Sequence, residues 1–421
     1  MFATLRKRWE LWVTTVYRGA AAIPTRPGSA PAGPPLPPPR GRPPKQQRRR
    51  DRGPLWARLL VVFGALLMVA SGTLIVGVKV LIAQATSSVT QTNLLGNAGN
   101  QAVHHVNITG PVNVLLVGID ARPDQTAAQA RSDSIIVLHI PASHDQAFLV
   151  SIPRDTLVHI PAYAKSGFRG GDNKINAAFS YGSQNGGGVA GGVGLLAATI
   201  KSLYGIGFDA AAVVDFEGFR QVVGVLGGVN MCVDEKVTSI HIGFNTKTGR
   251  EQLPYTQDAN LRLHAVPGVR PEVYKPGCYH LAAWQALDYT RQRDLLANGD
   301  GDYGRQRHQQ QFIKAIFKQI LSAGTLTNPA KLAAVLDSVG KAMTVDTGGI
   351  SIADWIFAMR GVTANNMTTV KTNDGKYNSV NVPGIGSCEQ LNASSLELLA
   401  DIKTDTVADF VTAHPDWVSR S

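Results

Sequence analysis

Three cysteines in 421 residues, at positions 232, 278 and 388, lack the spacing of a zinc site. They leave room for one bridge. Cys232 ends a β-like run (Val229–Val233), and Cys278 follows "KPG" ahead of a helix-like stretch. A Cys232–Cys278 bridge closing that excursion is expected, with Cys388 left over; pairings that include Cys388 stay open. Acids are also in short supply, at 30 against 41 Lys and Arg. The shortage has one address. Residues 1–58 hold 13 of the bases and only Glu10 and Asp51 as acids, while the remainder carries 28 of each sign. A neutral main body excludes the broad basic face of a nucleic-acid binder. No internal repeat is visible, which excludes a solenoid.

Charge is absent altogether from "LLVVFGALLMVASGTLIVGV" (59–78), 20 apolar residues, about what a helix needs to cross a bilayer. The 58 residues ahead of it argue against a cleaved signal peptide, although "AQA" (83–85) offers a small-residue cleavage pattern. After Lys79 no Lys or Arg occurs until Arg122. The positive-inside rule then places the tail in the cytoplasm and the rest outside. The expected order is a basic, Pro-rich disordered tail at 1–58, a transmembrane helix at 59–80, an extracytoplasmic stalk at 81–109, a core at 110–321, and a C-terminal part at 322–421 that completes or flanks it. The Pro-rich stretch reads as an extended spacer or as a docking peptide for a cytoplasmic partner.

From residue 110 onward, short β-branched runs ("VNVLLVGI", "SIIVLHI", "AFLVSI", "AAVVDF") alternate with helical patterns (193–205, 217–228, 280–293, 305–321). Further helices are read around a β-like pair, "MTTVKT" and "SVNVPG". This alternation predicts a three-layer α/β/α domain with a twisted central mixed sheet.

Candidate chemistry gathers where strands end. Asp120 and Asp133 leave the first two strands, and two carboxylates there suit a hard cation such as Mg²⁺; turn capping and pairing with Arg122 and Arg131 is the plain alternative. "SIPRDT" presents Arg154 and Asp155 at a third strand end, and Lys174 precedes a helix start. Arg291 and Arg293 close one helix, where cations suit the negative pole. Arg305, His308 and Gln309 share a face of the next helix at i, i+3 and i+4, with Arg307 and Gln310 alongside. So many guanidiniums without matching acids call for an anion, and pyrophosphate suits the planar forks.

The blocks "VNVLLVGIDAR", "RSDSIIVLHI", "FLVSIPRDTLVHIP", "DNKINAAFSYG", "FDAAAVVDFEGFRQVVGVLGGV", "HLAAWQALDYTRQR" and "GDYGRQRHQQQFI", in this order, resemble the LytR-CpsA-Psr family of cell-envelope phosphotransferases. The usage of Ala, Gly, Arg and Pro is actinobacterial-like. The resemblance implies a sheet between helices with an apolar tunnel for a polyprenyl chain. It implies transfer of a glycan or phosphoglycan from a polyprenyl-pyrophosphate carrier onto a peptidoglycan hydroxyl at the outer face of the cell membrane, with Mg²⁺ or Mn²⁺. Asp120 and Asp133 match the acidic positions linked to metal and catalysis; Arg122, Arg154, Arg291, Arg293 and Arg305 match positions that grip pyrophosphate. Asp302 and Gln310 fall in the same block, and Asp133 or Asp155 would accept the hydroxyl proton. Where the family commonly has R-x-x-R-Q, this chain has His308 for the second arginine; Arg307 points about 100° away on a helix. Alternatives are a polyprenyl-pyrophosphate hydrolase and a non-catalytic lipid or glycan receptor or envelope regulator.

Overall fold

Side chains of strands β1 (Val112–Ile119), β2 (Ser132–Ile140) and β3 (Ala147–Ser151) alternate between two apolar layers, as period-2 geometry requires. The computed structural model describes residues 92–100, 108–121, 125–320, 329–350, 354–355 and 358–419. The tail at 1–58, the apolar run at 59–80 and Arg122 lie outside the described residues. Among the described residues no helix is long and apolar enough to cross a membrane.

The central sheet has six strands in the order β13-β6-β1-β2-β3-β14, with β6 at Ala210–Val214, β13 at Met343–Asp346 and β14 at Met367–Val370. It is mixed: β1 runs antiparallel to β2 and parallel to β6, and β3 runs antiparallel to β2 and parallel to β14. Leu115, Val117, Ile135, Val137, Phe148 and Val150 face one layer. There they meet helices α1 (Ala177–Ser183) and α2 (Gly188–Tyr204). A Cβ on Gly182 would stand 2.2 Å from the Gly191 carbonyl oxygen, so these two helices touch backbone to backbone. After β6 come α3 (Phe216–Val225), α4 (Ala283–Arg291), α5 (Gly301–Ile320) and α6 (Pro329–Ala342). Near the C-terminus, α7 (Ala393–Thr404) and α8 (Val407–Ala413) return to the α1–α2 layer. Asp405 between them adopts φ 62° and breaks what reads in sequence as one stretch of helical pattern.

The opposite face buries Val112, Ile136, Leu138 and Leu149 under Ile313 and Phe317 of α5. The other flank of α5, with Phe312, Ala315 and Ile316, packs into a third cluster built from α3, α4 and the ribbon β7 (Val229–Val233) with β12 (Gly277–Leu281). Helix α5 is thus sandwiched between sheet and ribbon, and its polar first half lies along the seam. The sequence pattern extends α4 back to residue 280, but His280 and Leu281 belong to β12, where Cys278 stands directly opposite Cys232. These two cysteines form a disulfide, and Cys388 is free and buried.

Gln310 locks α5 to the sheet. Its amide donates to the Leu149 carbonyl at 3.2 Å, the Ser151 hydroxyl at 2.9 Å and the Val370 carbonyl at 3.2 Å, bridging β3 and β14. Burying carbonyls without donors is costly. Gln310→Leu is therefore expected to lower stability by about 2–4 kcal/mol, read from chemical denaturation midpoints at unchanged secondary structure.

Candidate active site

Strands β1, β3, β6 and β14 all end at one edge of the sheet, and β2 begins there. The β1–β2 register runs regularly to Gly118↔Ser134 and then shifts, so that Ile119 faces Ser132 and Asp133 becomes the extra residue. Such a bulge re-aims a side chain. A Cβ on Gly118 would lie 2.9 Å from that of Ser134, so only glycine lets the strands close up beside the bulge. Asp120 follows on the neighbouring strand end, half-buried, with its Oδ1 enclosed and without a hydrogen-bond partner among the described residues.

Pro153 carries the chain out of β3, and Arg154 reaches back to the bulge. Its Nη1 donates to Asp133 Oδ1 at 2.8 Å, and its Nε lies 3.6 Å from both Asp155 Oδ2 and Asp302 Oδ1. Lys174, the last residue of strand β5 (Gly171–Lys174), pairs with Asp155 at 2.9 Å. Arg305 donates through Nε to Asp302 Oδ1 at 3.0 Å and through Nη2 to the Asp133 carbonyl at 2.8 Å. Burial works against the charge on Arg154, but Asp133, Asp302 and Asp155 together hold its pKa above the usual guanidinium value. Burial likewise opposes ionisation of Asp302, and Arg305 and Arg154 outweigh it, holding that carboxyl below the usual range. Arg154, Lys174 and Arg305 are thus matched by Asp133, Asp155 and Asp302. The sequence reading finds the cations without acids because these carboxylates are scattered over 170 positions of the chain.

The remaining sequence-predicted residues divide. Arg131 is exposed beside the bulge. Arg291 lies over the Phe216 ring at 4.1 Å, and Arg293 is exposed, 3.6 Å from Asp294. Arg307 turns away from the cluster to Asp234 at 2.7 Å and to Glu235 and Asp300. His308 does not share the Arg305 face: it is fully buried and stacks on Tyr289 at 4.3 Å. Gln309 instead joins Arg305 at the seam, accepting from the Ser134 hydroxyl at 2.8 Å. Gln310 points into the sheet. Asp302 is the central residue that motif reading passed over as a site residue, although its i, i+3 spacing to Arg305 signals it. Tyr377 had no signal: its hydroxyl accepts from the Asp302 amide at 2.6 Å, and Tyr303 beside it bonds Glu389 and Asn373, each at 3.0 Å.

The end of α4 is fixed by Asp288, 2% exposed. It accepts from Tyr274 at 2.8 Å, Ser239 at 2.9 Å and Gln292 at 2.6 Å. Burial raises its pKa to about 6 despite those donors and the nearby Arg291. A carboxyl raised on folding stabilises fully below its unfolded value and loses that contribution as pH climbs through the folded one. The Asp288 contribution should therefore fall between pH 4 and about 6, by about 2–3 kcal/mol, against the opposite trend of His241, whose buried ring is pushed down to about 4. Wild type should accordingly lose stability relative to Asp288→Asn across that range of a denaturation-versus-pH curve.

The sequence matches the model of the LytR_cpsA_psr family over residues 78–397. It is 30% identical over 290 residues to the cell wall biosynthesis protein LcpA of Corynebacterium glutamicum, across 61% of this chain and 48% of that protein. The chain thus spans about half the length of that relative. It is 30% identical over 283 residues to the polyisoprenyl-teichoic acid–peptidoglycan teichoic acid transferase TagU of Bacillus cereus, across 65% of this chain and 77% of that protein. The crystal structure of protein gbs0355 from Streptococcus agalactiae superposes with a TM-score of 0.53 at 22% identity, covering 70% of this chain and 88% of the other, and so shares the mixed α/β fold. With the family's pattern matched over most of its length, the chain belongs to the LytR_cpsA_psr family.

Proposed function

We propose that this protein is a membrane-anchored phosphotransferase that moves a glycan or phosphoglycan from a polyprenyl-pyrophosphate carrier to a peptidoglycan hydroxyl outside the cell membrane. The observation that carries the reading is the convergence of Arg154, Lys174 and Arg305 on the carboxylates of Asp133 and Asp155 at strand ends and of Asp302 at the start of α5. Family membership and the activity for which the TagU relative is named supply the reaction class. The apolar run at 59–80 would hold the protein at the surface where a lipid carrier lies, raising its effective concentration.

Phosphoryl transfer needs positioning and charge stabilisation more than covalent chemistry. Arg154 and Arg305, locked by carboxylates on either side, present their forks in one fixed setting. Pyrophosphate oxygens would compete with those carboxylates for the guanidinium donors. Arg131, exposed at the bulge, is a candidate for the outer phosphate, as is Arg122, two positions after Asp120 in the sequence. Asp155, more exposed than Asp133 (36% against 26%), is placed to accept the proton of an incoming hydroxyl.

Asp120 and Asp133 fit a hard divalent cation: both are oxygen donors on adjoining strand ends, and the enclosed Asp120 Oδ1 has no hydrogen-bond partner among the described residues. Mg²⁺ or Mn²⁺ bound there would neutralise phosphate charge and polarise the phosphorus–oxygen bonds.

The test uses the full chain in detergent with a polyprenyl-pyrophosphate-linked sugar, a peptidoglycan oligomer and Mg²⁺, with products followed by mass spectrometry. Glycan should appear on the oligomer, and Arg154→Ala or Arg305→Ala should each slow transfer by about a hundredfold or more. Release to water alone would make the protein a hydrolase. Binding without turnover would make it a receptor.

A further inference from the structure

Behind the Arg305 face, on the other side of α5, stands a second charged cluster that the proposed transfer does not use. Asp234 and Glu235 follow β7 at the turn into strand β8 (Val237–Asn245). One carboxylate oxygen from each and a ring nitrogen of His308 lie within 4.8 Å of one another. His308 Nε2 stands 3.3 Å from Glu235 Oε1 and 3.5 Å from Asp234 Oδ1 without a well-formed hydrogen bond to either, and Nδ1 has no hydrogen-bond partner among the described residues. The ring is fully buried. A buried imidazole that faces two carboxylates without a directed bond recovers only part of its lost solvation.

The charges do not balance either. Arg307 is the one guanidinium among three carboxylates, those of Asp234, Glu235 and Asp300, so acids outnumber it. Glu235 is held in place by the Asn298 amide at 2.7 Å, and the Tyr289 hydroxyl lies 3.3 Å from Asp234. The disulfide at Cys232, two residues before Asp234, fixes the ribbon from which both acids project. Asp234 is 26% exposed and opens a route from solvent.

We propose that Asp234, Glu235 and His308 form a second divalent-cation site, separate from Asp120 and Asp133, that takes a first-row transition ion. Two carboxylate oxygens and one imidazole nitrogen suit Zn²⁺ or Mn²⁺ better than Mg²⁺, which favours oxygen donors and keeps its waters. The ion offsets the surplus of carboxylates and gives the imidazole a directed bond. It ties the β7–β8 turn to α5 one helical turn beyond Arg305, so it steadies the helix that presents the Arg305 guanidinium. The site does not depend on which reaction the Arg154 cluster performs.

The test is metal content, not activity. The full chain in detergent is stripped with a chelator, loaded with Zn²⁺ and freed of excess by gel filtration, without lipid substrate. Wild type and Asp133→Asn should each retain one equivalent, and His308→Gln and Glu235→Gln less than a tenth of one. Retention by all four proteins, by none, or loss that follows Asp133→Asn alone would overturn the proposal. If the His308 and Glu235 variants do not fold, Asp133→Asn, which lacks the other carboxylate pair, loaded with one equivalent of Mn²⁺ decides the matter by pulsed electron paramagnetic resonance. Modulation from a directly bound ¹⁴N supports the site, and its absence refutes it.

Discussion

One guanidinium holds the candidate active site together. Arg154 is shared by Asp133 from the β1–β2 bulge, Asp155 from its own turn and Asp302 from the start of α5. Partly buried charges survive only when paired, so these three segments are constrained by each other's electrostatics as well as by packing. The arrangement has a functional reading. A cluster whose cations and anions already match has little surplus attraction for simple anions and will not fill with ambient phosphate. A ligand has to bring enough donors and acceptors, or its own cation, to outcompete the internal pairs. That favours a large pyrophosphate-bearing substrate over inorganic ions.

Helix α5 distributes the work. Its successive side chains go to different neighbours: Arg305 and Gln309 to the strand ends, Gln310 into the sheet, Arg307 and His308 to the acids beyond β7. A helix lying in a seam between two packed layers has little solvent-facing surface in its first half. That accounts for so many polar residues at buried positions there, each with a specific role in place of a common one.

The central sheet, its mixed strand–helix alternation and the strand-end location of Asp120, Asp133 and Arg154 were legible from β-branched runs and their punctuation. Strand β7 was legible as the β-like run Val229–Val233, but its partner β12 was not, because four of its five residues are exposed and its end reads as the start of the helix behind it. Treating the polar stretch at 305–310 as one anion clamp failed for a geometric reason. Residues one apart on a helix diverge by about 100°, and composition does not say which layer each direction meets. The frame supplied by Tyr377, Asn373 and Glu389 was invisible because it depends on contacts between residues tens of positions apart. No local pattern records such contacts.

Both edge strands of the sheet, β13 and β14, come from the last fifth of the chain, while its centre comes from the first strands after residue 110. The bond from Arg305 to the Asp133 carbonyl spans 172 residues, and Asp302 is capped by a tyrosine 75 residues later. Such non-local pairings form late, since loop closure must precede the contacts that reward it. The cluster around Arg154 therefore depends on segments made far apart in the chain, and its geometry exists only once α5 has returned to the strand ends.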